Sequence, residues 1–288
     1  MNIAFVCTGN TCRSPMAEAI FKNKIKDYLP FCNVASFGTH AMTGDTANEN
    51  SILVMAESGI DISEHRSSII SNYVIDICDY IICMDRFNYG IIELTAGEKA
   101  ILLGEKGIND PFGGDIDVYR HCAQQIETEI DKLLASDLFF STTLMEKEDI
   151  QIVSEIEKNN FSEPWSTNSF AEELENELSI CYVEKYLDKP VGYVCAQIIH
   201  PEAFLCTIAS DNSLRRRGIG ERLVNYLIDY CKFKRCESLS LEVRVSNIPA
   251  QKLYEKAGFV NLGIRKNFYS KPAEDAYIMT KYFKEENQ

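Results

Sequence analysis

Apolar and polar positions follow two different rhythms along the chain, and the change falls near its middle. In the first half, short apolar runs that fit buried strands alternate with stretches of helical periodicity; the runs are 3–6, 33–36, 80–84 and 100–103, and the helical stretches are 48–58, 85–94 and a long one from about 116. This alternation predicts a doubly wound α/β domain, in which helices cover both faces of a parallel sheet. Ligands of such sheets bind at the carboxyl ends of the strands.

The second half is expected to form an α+β domain. Helical periodicity precedes two apolar strands, 179–186 and 191–199, and the turn residues 188–190 between them predict a hairpin. The remaining predicted helices are 148–159, 167–177, 221–234 and 246–257, and the remaining strands are 203–210 and 238–243. A length of 288 residues suits two domains. We place them at 1–138 and 141–288, with the junction within 135–141.

The loop after the opening strand carries the first concentration of chemistry, in the order Cys7-Thr-Gly-Asn-Thr-Cys-Arg13-Ser14-Pro15. Ser14 and Pro15 are typical of a helix start, so the loop is expected to join a strand to a helix that Ser14 caps. The free amides and the positive dipole end of such a helix favour a phosphate, and Gly9 lets the backbone curl around it. The candidate phosphate-binding residues are Thr8, Gly9, Asn10, Thr11, Cys12, Arg13 and Ser14.

Cys7, Arg13 and Asp110 form a candidate catalytic set. A cysteine is nucleophilic as its thiolate, which a helix N-terminus, Arg13 and a hydrogen bond from the Ser14 hydroxyl would all favour. The guanidinium of Arg13 can bind two phosphoryl oxygens at once. Asp110 lies in the turn sequence Asp-Pro-Phe-Gly, which can hold its carboxylate over a pocket. It would protonate the leaving group and then activate the water that hydrolyses a phosphocysteine.

The string from Val6 to Glu18 resembles the low-molecular-weight protein tyrosine phosphatase family, with further similarity at 36–40, 59–67 and 110–111. The resemblance covers roughly the first 135 residues and implies a flavodoxin-like fold. Thr11 stands where the family usually has a bulky aliphatic residue, and with 112–114 it resembles the protein-arginine-phosphatase branch. A hydroxyl can hydrogen-bond a guanidinium, whereas an aliphatic side chain packs a phenyl ring better. We therefore favour phosphoarginine in a protein substrate over phosphotyrosine.

Three cysteines besides Cys7 have alternative roles. Arsenate reductase shares this kind of loop but relays a disulfide through two further cysteines, for which Cys78 and Cys83 are the nearby pair. Cys83 lies in an apolar run that is typical of a buried strand, which favours packed, inert thiols. Cys12 lies in the loop beside Cys7, and the resemblance suggests a reversible Cys7–Cys12 disulfide that protects the nucleophile; a packing role for Cys12 is an equal alternative.

The second half carries its own candidate site. Arg215, Arg216, Arg217, Gly218, Ile219 and Gly220 precede a predicted helix and suit a pyrophosphate, although taken alone this pattern is weak. Strand alternation puts Glu242 on the polar side of its strand. Tyr254 follows in the next predicted helix.

These residues, together with Phe161-Ser-Glu-Pro-Trp165 and Arg265-Lys-Asn-Phe-Tyr269, resemble the GNAT acetyltransferases, with the best likeness to the RimI-type N-acetyltransferases of ribosomal protein. The resemblance implies that the amides of 215–220 bind acetyl-CoA, that Glu242 is the general base and that Tyr254 is the general acid. It implies a ribosomal-protein N-terminus as acceptor, with a GNAT of other amine specificity as the alternative. Glutamate and tyrosine suit this chemistry, because an α-amine needs only modest help to lose its proton.

Composition narrows the remaining classes. The net charge of −14 argues against a nucleic-acid partner. Eleven cysteines and four scattered histidines, with no Cys-x2-Cys pair, indicate neither a disulfide framework nor a metal site. No apolar stretch approaches the ~20 residues of a membrane span, so we expect a cytoplasmic enzyme without a membrane partner. A regulatory protein that binds both ligands without turnover is the alternative of another class, and two complete catalytic sets argue against it.

Overall fold

The computed structural model describes residues 1–283 and divides into two compact units, with the boundary between Phe139 and Phe140. Within residues 1–283, no helix combines the length and the apolar character that a membrane span requires.

The first unit is built on a parallel four-stranded sheet with the order β2-β1-β3-β4. Its strands are β1 (Asn2–Cys7), β2 (Asn33–Gly38), β3 (Tyr80–Cys83) and β4 (Ala100–Leu102), and its helices are α1 (Arg13–Lys24), α2 (Glu49–Glu57), α3 (Asn72–Ile77), α4 (Arg86–Ala96) and α5 (Ile116–Ala135). The predicted doubly wound, flavodoxin-like class is confirmed.

The side chains of alternate residues in β1 pack on opposite faces of this sheet. Ala4 and Val6 pack with Ile75 and Ile92 of α3 and α4 on one face. Phe5 points to the other face, where its ring centroid lies 5.3 Å from that of Phe21 in α1. Because β1 is flanked by β2 and β3, both of its faces are buried, and its carboxyl end opens directly into the loop that contains the candidate nucleophile.

The start of α1 differs from the prediction. The helix begins at Arg13, its N-cap position is Cys12, and Ser14 lies inside the first turn. The prediction that Ser14 caps the helix is wrong, because its hydroxyl is engaged by Cys7 and Asn10. The short helix α3 was not predicted.

The second unit is a seven-stranded sheet with the order β10-β11-β9-β8-β7-β6-β5. Its strands are β5 (Phe140–Leu144), β6 (Ser179–Tyr186), β7 (Lys189–Ile199), β8 (Glu202–Ser210), β9 (Ser238–Arg244), β10 (Val260–Ser270) and β11 (Ala273–Tyr282), and its helices are α6 (Ile150–Asn160), α7 (Thr167–Glu175), α8 (Ile219–Phe233) and α9 (Ile248–Lys256). This mixed arrangement confirms the α+β class. The predicted β6–β7 hairpin turns at Leu187 and Asp188, which both have positive φ, one position earlier than expected.

A parallel pair of strands opens the sheet at its centre. β8 and β9 pair only from Glu202–Phe204 to Ser238–Ser240, although both strands continue beyond these residues. All other neighbours in this sheet are antiparallel. Helix α8 packs against β7 at Gly192, where an added Cβ would lie 2.4 Å from Cγ2 of Ile219. The divergence of β8 from β9 leaves room for the candidate acetyl-transfer site.

Candidate active sites

Cys7 ends β1 and lies under the loop 8–12. Its side chain is almost fully buried, and its sulfur accepts a hydrogen bond of 3.2 Å from the Asn10 amide. The Ser14 hydroxyl lies 3.1 Å from the same sulfur. A backbone amide and the hydroxyl of a residue in the first turn of α1 therefore both contact the sulfur.

Asn10 fixes the shape of the loop. Its φ of 53° lies in the left-handed region, which asparagine tolerates better than most residues. Its side-chain nitrogen Nδ2 donates to the hydroxyls of Ser14 and Ser36 at 2.9 and 3.0 Å, and its side-chain oxygen accepts from the Ser68 backbone amide at 2.8 Å. The backbone carbonyl of Asn10 is also hydrogen-bonded to the His65 ring at 2.8 Å. A fully bonded, buried residue of this kind holds the surrounding amides in place.

Arg13 joins the loop to the candidate acid. Its guanidinium is buried and donates to Asp85 at 2.6 Å, to Asp110 at 2.8 Å and to the Ile108 carbonyl at 3.2 Å. The side chain of Asp110 is about half exposed, at 53 %, and also accepts from the Phe112 amide. The structure thus brings Arg13 and Asp110 into direct contact across 97 positions of sequence.

Asp85 and Asn88 are residues of this site that sequence reasoning missed. Asp85 caps α4 and accepts from Asn88, while holding one arm of Arg13. The buried side-chain amide of Asn88 also donates from Nδ2 to the Thr8 hydroxyl at 3.1 Å and accepts at Oδ1 from the Thr39 hydroxyl at 2.6 Å. The signal was available, because Asp85 follows β3, whose carboxyl end lies beside that of β1.

Cys83 and Cys12 are two further buried thiols of the first unit. Cys83 is fully buried on the sheet face of Ala4 and Val6, and burial raises its pKa to about 12. Cys12 is a buried free thiol that lies 3.4 Å from the Tyr119 hydroxyl. These surroundings argue against a disulfide relay through Cys83.

The second unit holds a cavity of about 470 Å³ between the diverging ends of β8 and β9. Gly220, Glu242 and Tyr254 all line it, so three of the predicted residues share one space. Tyr254 is buried, and burial raises its pKa above the usual tyrosine range. Its phenol therefore stays protonated at neutral pH and is able to donate a proton.

Glu242 lies at the more open side of this cavity. Its carboxylate accepts from Arg265 at 2.9 Å, and its backbone carbonyl accepts from the Tyr269 hydroxyl at 3.3 Å. The Glu242 side chain is 31 % exposed, so water reaches the carboxylate. Arg265 and Tyr269 belong to the motif quoted above, and both contact Glu242.

The predicted pyrophosphate loop forms the start of α8. Gly218 occupies the N-cap in the left-handed conformation, with φ of 77°, which explains a glycine here. The first amides of an α-helix have no intrahelical acceptor, so this end can donate to phosphate oxygens. The guanidinium of Arg217 lies 5.0 Å from the Phe140 ring centroid, and Arg215 donates to Asn160 at 3.4 Å. These features fit a cofactor phosphate held by main-chain amides.

Fold and sites together define a two-domain enzyme, a phosphatase domain followed by an acetyltransferase domain. The chain belongs to the low molecular weight phosphotyrosine protein phosphatase family, whose profile matches residues 2–149, and its second part belongs to the acetyltransferase (GNAT) family, matched over residues 150–259. A GNAT domain implies acetyl-CoA as co-substrate. Among residues 1–283, no group of three or more His, Cys, Asp or Glu side chains is arranged to hold a metal ion.

Separate relatives match the two halves. A protein-arginine-phosphatase of Geobacillus stearothermophilus is 40% identical over 140 residues, which is 46% of this chain and 92% of that protein. The [ribosomal protein bS18]-alanine N-acetyltransferase of Escherichia coli K12 is 34% identical over 137 residues, or 47% of this chain and 92% of that protein. A Bacillus subtilis protein provisionally named for the same acetyltransferase activity is 43% identical over 136 residues, or 47% and 90%.

Proposed function

We propose that this chain removes phosphate from phosphoarginine in proteins and acetylates the N-terminal amine of a ribosomal protein, with both reactions in the cytoplasm. The contact between Arg13 and Asp110 at 2.8 Å, beside the buried Cys7, carries the phosphatase half of the proposal. The shared cavity of Glu242 and Tyr254 carries the acetyltransferase half. The names of the relatives support the choice of both substrates.

In the phosphatase reaction, amides of residues 8–14 and the Arg13 guanidinium bind the phosphoryl oxygens. The Cys7 thiolate attacks phosphorus, the P–N bond of phosphoarginine breaks, and Asp110 gives its proton to the departing guanidine nitrogen. Asp110, now a carboxylate, takes a proton from a water molecule that attacks the phosphocysteine. The S–P bond breaks, inorganic phosphate leaves and the thiolate is restored.

Thr11 carries the preference for phosphoarginine. Its carbonyl accepts from the Asn48 amide at 2.8 Å, so the backbone of the loop is fixed at this residue. A hydroxyl at the pocket wall can accept from a guanidinium, while a tyrosine ring needs apolar contact there. Phosphotyrosine is the competing substrate.

In the acetyltransferase reaction, amides of residues 215–220 bind the acetyl-CoA pyrophosphate. Glu242 takes a proton from the acceptor amine, directly or through one water, and the amine nitrogen attacks the thioester carbonyl. The C–S bond breaks, and Tyr254 protonates the departing thiolate of CoA. The pyrophosphate amides bind the cofactor without taking part in these proton transfers.

The phosphatase half is tested with phosphoarginine and phosphotyrosine peptides on the full chain and on Cys7→Ser. We expect turnover of phosphoarginine by the wild type, none by Cys7→Ser, and unchanged acetyl transfer in that variant, because the nucleophile belongs to the first site alone. Turnover of phosphotyrosine alone would leave a phosphatase but refute the arginine substrate. Phosphatase activity in Cys7→Ser would refute the mechanism.

The acetyltransferase half is tested with a peptide that has a free α-amine and a small first residue, such as the N-terminal segment of ribosomal protein bS18. Its N-acetylated form and a peptide whose only free amine is a lysine side chain are the controls. We expect acetylation of the first peptide alone. Modification of the lysine peptide alone would point to a GNAT of other amine specificity, and acetyl-CoA binding without any transfer would point to a regulatory protein.

A further inference from the structure

A buried carboxylate that the proposed mechanism does not use faces the acetyl-transfer cavity. Glu157 of α6 lines this cavity from the side of β7 and β8, and only 2 % of its surface is exposed. Its Oε2 accepts from the hydroxyls of Tyr193, in a short hydrogen bond, and of Thr207 at 3.4 Å. Tyr193 and Thr207 lie on adjacent strands, so this oxygen is fixed to the sheet.

The other carboxylate oxygen holds the segment between α6 and α7. Oε1 of Glu157 accepts from the backbone amide of Trp165 at 3.0 Å. We call residues 161–166 the acceptor wall, because Phe161, Glu163 and Trp165 line the same cavity as Glu242 and Tyr254. One carboxylate thus ties the acceptor wall to the sheet.

Aromatic packing reinforces this connection. The Trp165 ring centroid lies 5.5 Å from that of Phe170, and Phe170 lies 5.3 Å from Tyr193 in an edge-on contact. The far side of the wall is bound to the β10–β11 turn, where Ser270 donates to Glu163 at 2.5 Å and Ser162 donates to the Lys271 carbonyl. The wall is thus tethered on two sides, by Glu157 to the sheet and by Ser162 and Glu163 to the β10–β11 turn.

Burial raises the pKa of Glu157, while the hydrogen bonds from Tyr193, Trp165 and Thr207 act in the opposite direction. Burial of a carboxyl group costs free energy unless its oxygens accept hydrogen bonds, and both oxygens of Glu157 do so. The bonds here run to the sheet and to the acceptor wall.

We propose that Glu157 is a positioning residue for the acceptor: by fixing the wall 161–166, it sets the width of the groove that the acceptor N-terminus enters. This inference rests on the proposed acetylation of an N-terminal amine. Glu157 touches neither the amine nor the thioester in this role. Its loss should weaken acceptor binding and leave acetyl-CoA binding intact.

Gln and Ala substitutions separate positioning from proton transfer. Glutamine keeps a carbonyl oxygen for the Trp165 amide, and the Tyr193 hydroxyl can rotate to accept from the new NH₂ group. Alanine removes every bond. We expect Glu157→Gln to keep the acceptor KM within about three-fold and Glu157→Ala to raise it by about ten-fold or more, with kcat less affected.

The chain provides a direct reporter, because Trp165 is its single tryptophan. We expect Glu157→Ala to shift Trp165 fluorescence to the red and to increase its quenching by acrylamide, while Glu157→Gln resembles the wild type. Glu155→Ala is the matched control, since Glu155 is exposed on the same helix and its carboxylate accepts a hydrogen bond from the Gln151 side chain within that helix. Calorimetry with acetyl-CoA shows whether each variant keeps a folded cofactor site.

Three results would overturn the inference. Unchanged fluorescence and acceptor KM in Glu157→Ala would show that the wall does not depend on this residue. An equal loss of kcat in Glu157→Gln and Glu157→Ala, at constant KM, would indicate proton transfer instead. If Glu157→Ala does not fold, Tyr193→Phe takes its place, and wild-type acceptor KM in that variant counts against the tether. Failure of the wild type to acetylate any N-terminal amine would refute the proposed function, while the fluorescence comparison still tests the wall.

Discussion

Gly38, the last residue of β2, makes a close approach to the phosphate loop that leaves no space for a side chain. A Cβ added there would lie 2.5 Å from the Thr8 carbonyl oxygen, 2.8 Å from the Ala41 Cβ and 3.1 Å from the Asn10 amide nitrogen. Two of these three atoms are backbone of the loop that holds Cys7. Gly38→Ala should therefore distort the candidate phosphatase site without touching any of its functional groups.

The size of the effect follows from these distances. To restore normal contact, the Thr8 carbonyl oxygen has to move away by roughly half an ångström or more. This movement disturbs the hydrogen bond of 2.9 Å that the carbonyl oxygen accepts from the His40 backbone amide. Overpacking of this kind costs about 1–3 kcal/mol of stability. A misplacement of about 1 Å at a catalytic group can cost 10²-fold in rate, so we expect kcat/KM for phosphopeptide to fall by about ten-fold or more.

The assay is phosphatase turnover together with the thermal melting of the purified chain. Gly90→Ala is the matched control, because Gly90 is exposed in α4 and a Cβ there meets no atom within 4 Å. We expect Gly90→Ala to keep full activity and to gain about 0.5–1 kcal/mol, since alanine is the better helix former. Acetyl transfer should be the same in both variants.

Wild-type phosphatase kinetics in Gly38→Ala would refute this reasoning, since it would mean that the loop accommodates a methyl group without moving Cys7. A fall in acetyl transfer equal to the fall in phosphatase activity would also contradict it, because general unfolding would then explain the loss.

Three further predictions follow from the sites. Asp85→Ala removes the charge-assisted bond of 2.6 Å to Arg13 and should lower phosphatase kcat/KM by about ten- to hundred-fold in steady-state assays, with less effect if asparagine is introduced. Thr11→Ile should shift the ratio of kcat/KM values from phosphoarginine toward phosphotyrosine; an unchanged ratio would place specificity elsewhere. Gly218→Val should weaken acetyl-CoA binding in calorimetry, because φ of 77° disfavours a branched residue, whereas Tyr254→Phe should lower kcat and leave that affinity unchanged.

Sequence reasoning reached the parts of the fold that local patterns determine. The strand, loop and helix around Cys7 are continuous in sequence, so β1 and α1 could be predicted together with the loop between them. Neither β10 nor β11 was predicted, although β10 begins with Val260, Leu262 and Ile264 at alternate positions, a strand pattern that the sequence reasoning passed over. β5 was not predicted, and its first two residues fall within the predicted junction 135–141.

Some residues of the candidate sites could likewise be proposed from the sequence, and others could not. Arg13 and Asp110 could be proposed as partners because a phosphoryl transfer needs both an anion clamp and an acid. The contacts of Asp85 with Arg13 and of Asn88 with Thr8 depend on the start of α4 meeting the loop after β1, and the neighbouring positions of β1 and β3 in the sheet bring these two segments together. Glu157 was passed over as one of many helix glutamates, since its burial depends on the strands that pack beneath it.

Phe139 and Phe140 are consecutive residues that belong to different units. The Phe139 ring is fully buried and lies 5.8 Å from Phe21 and 5.5 Å from Tyr80, whereas Phe140 opens β5 and pairs with Tyr186. The peptide bond between Phe139 and Phe140 is therefore the position at which to divide the chain into two fragments. A first fragment that stops one residue short loses a core ring, and removal of a buried phenylalanine side chain costs about 3–5 kcal/mol. Activity losses in shorter fragments would then reflect a damaged core rather than any dependence of one reaction on the other.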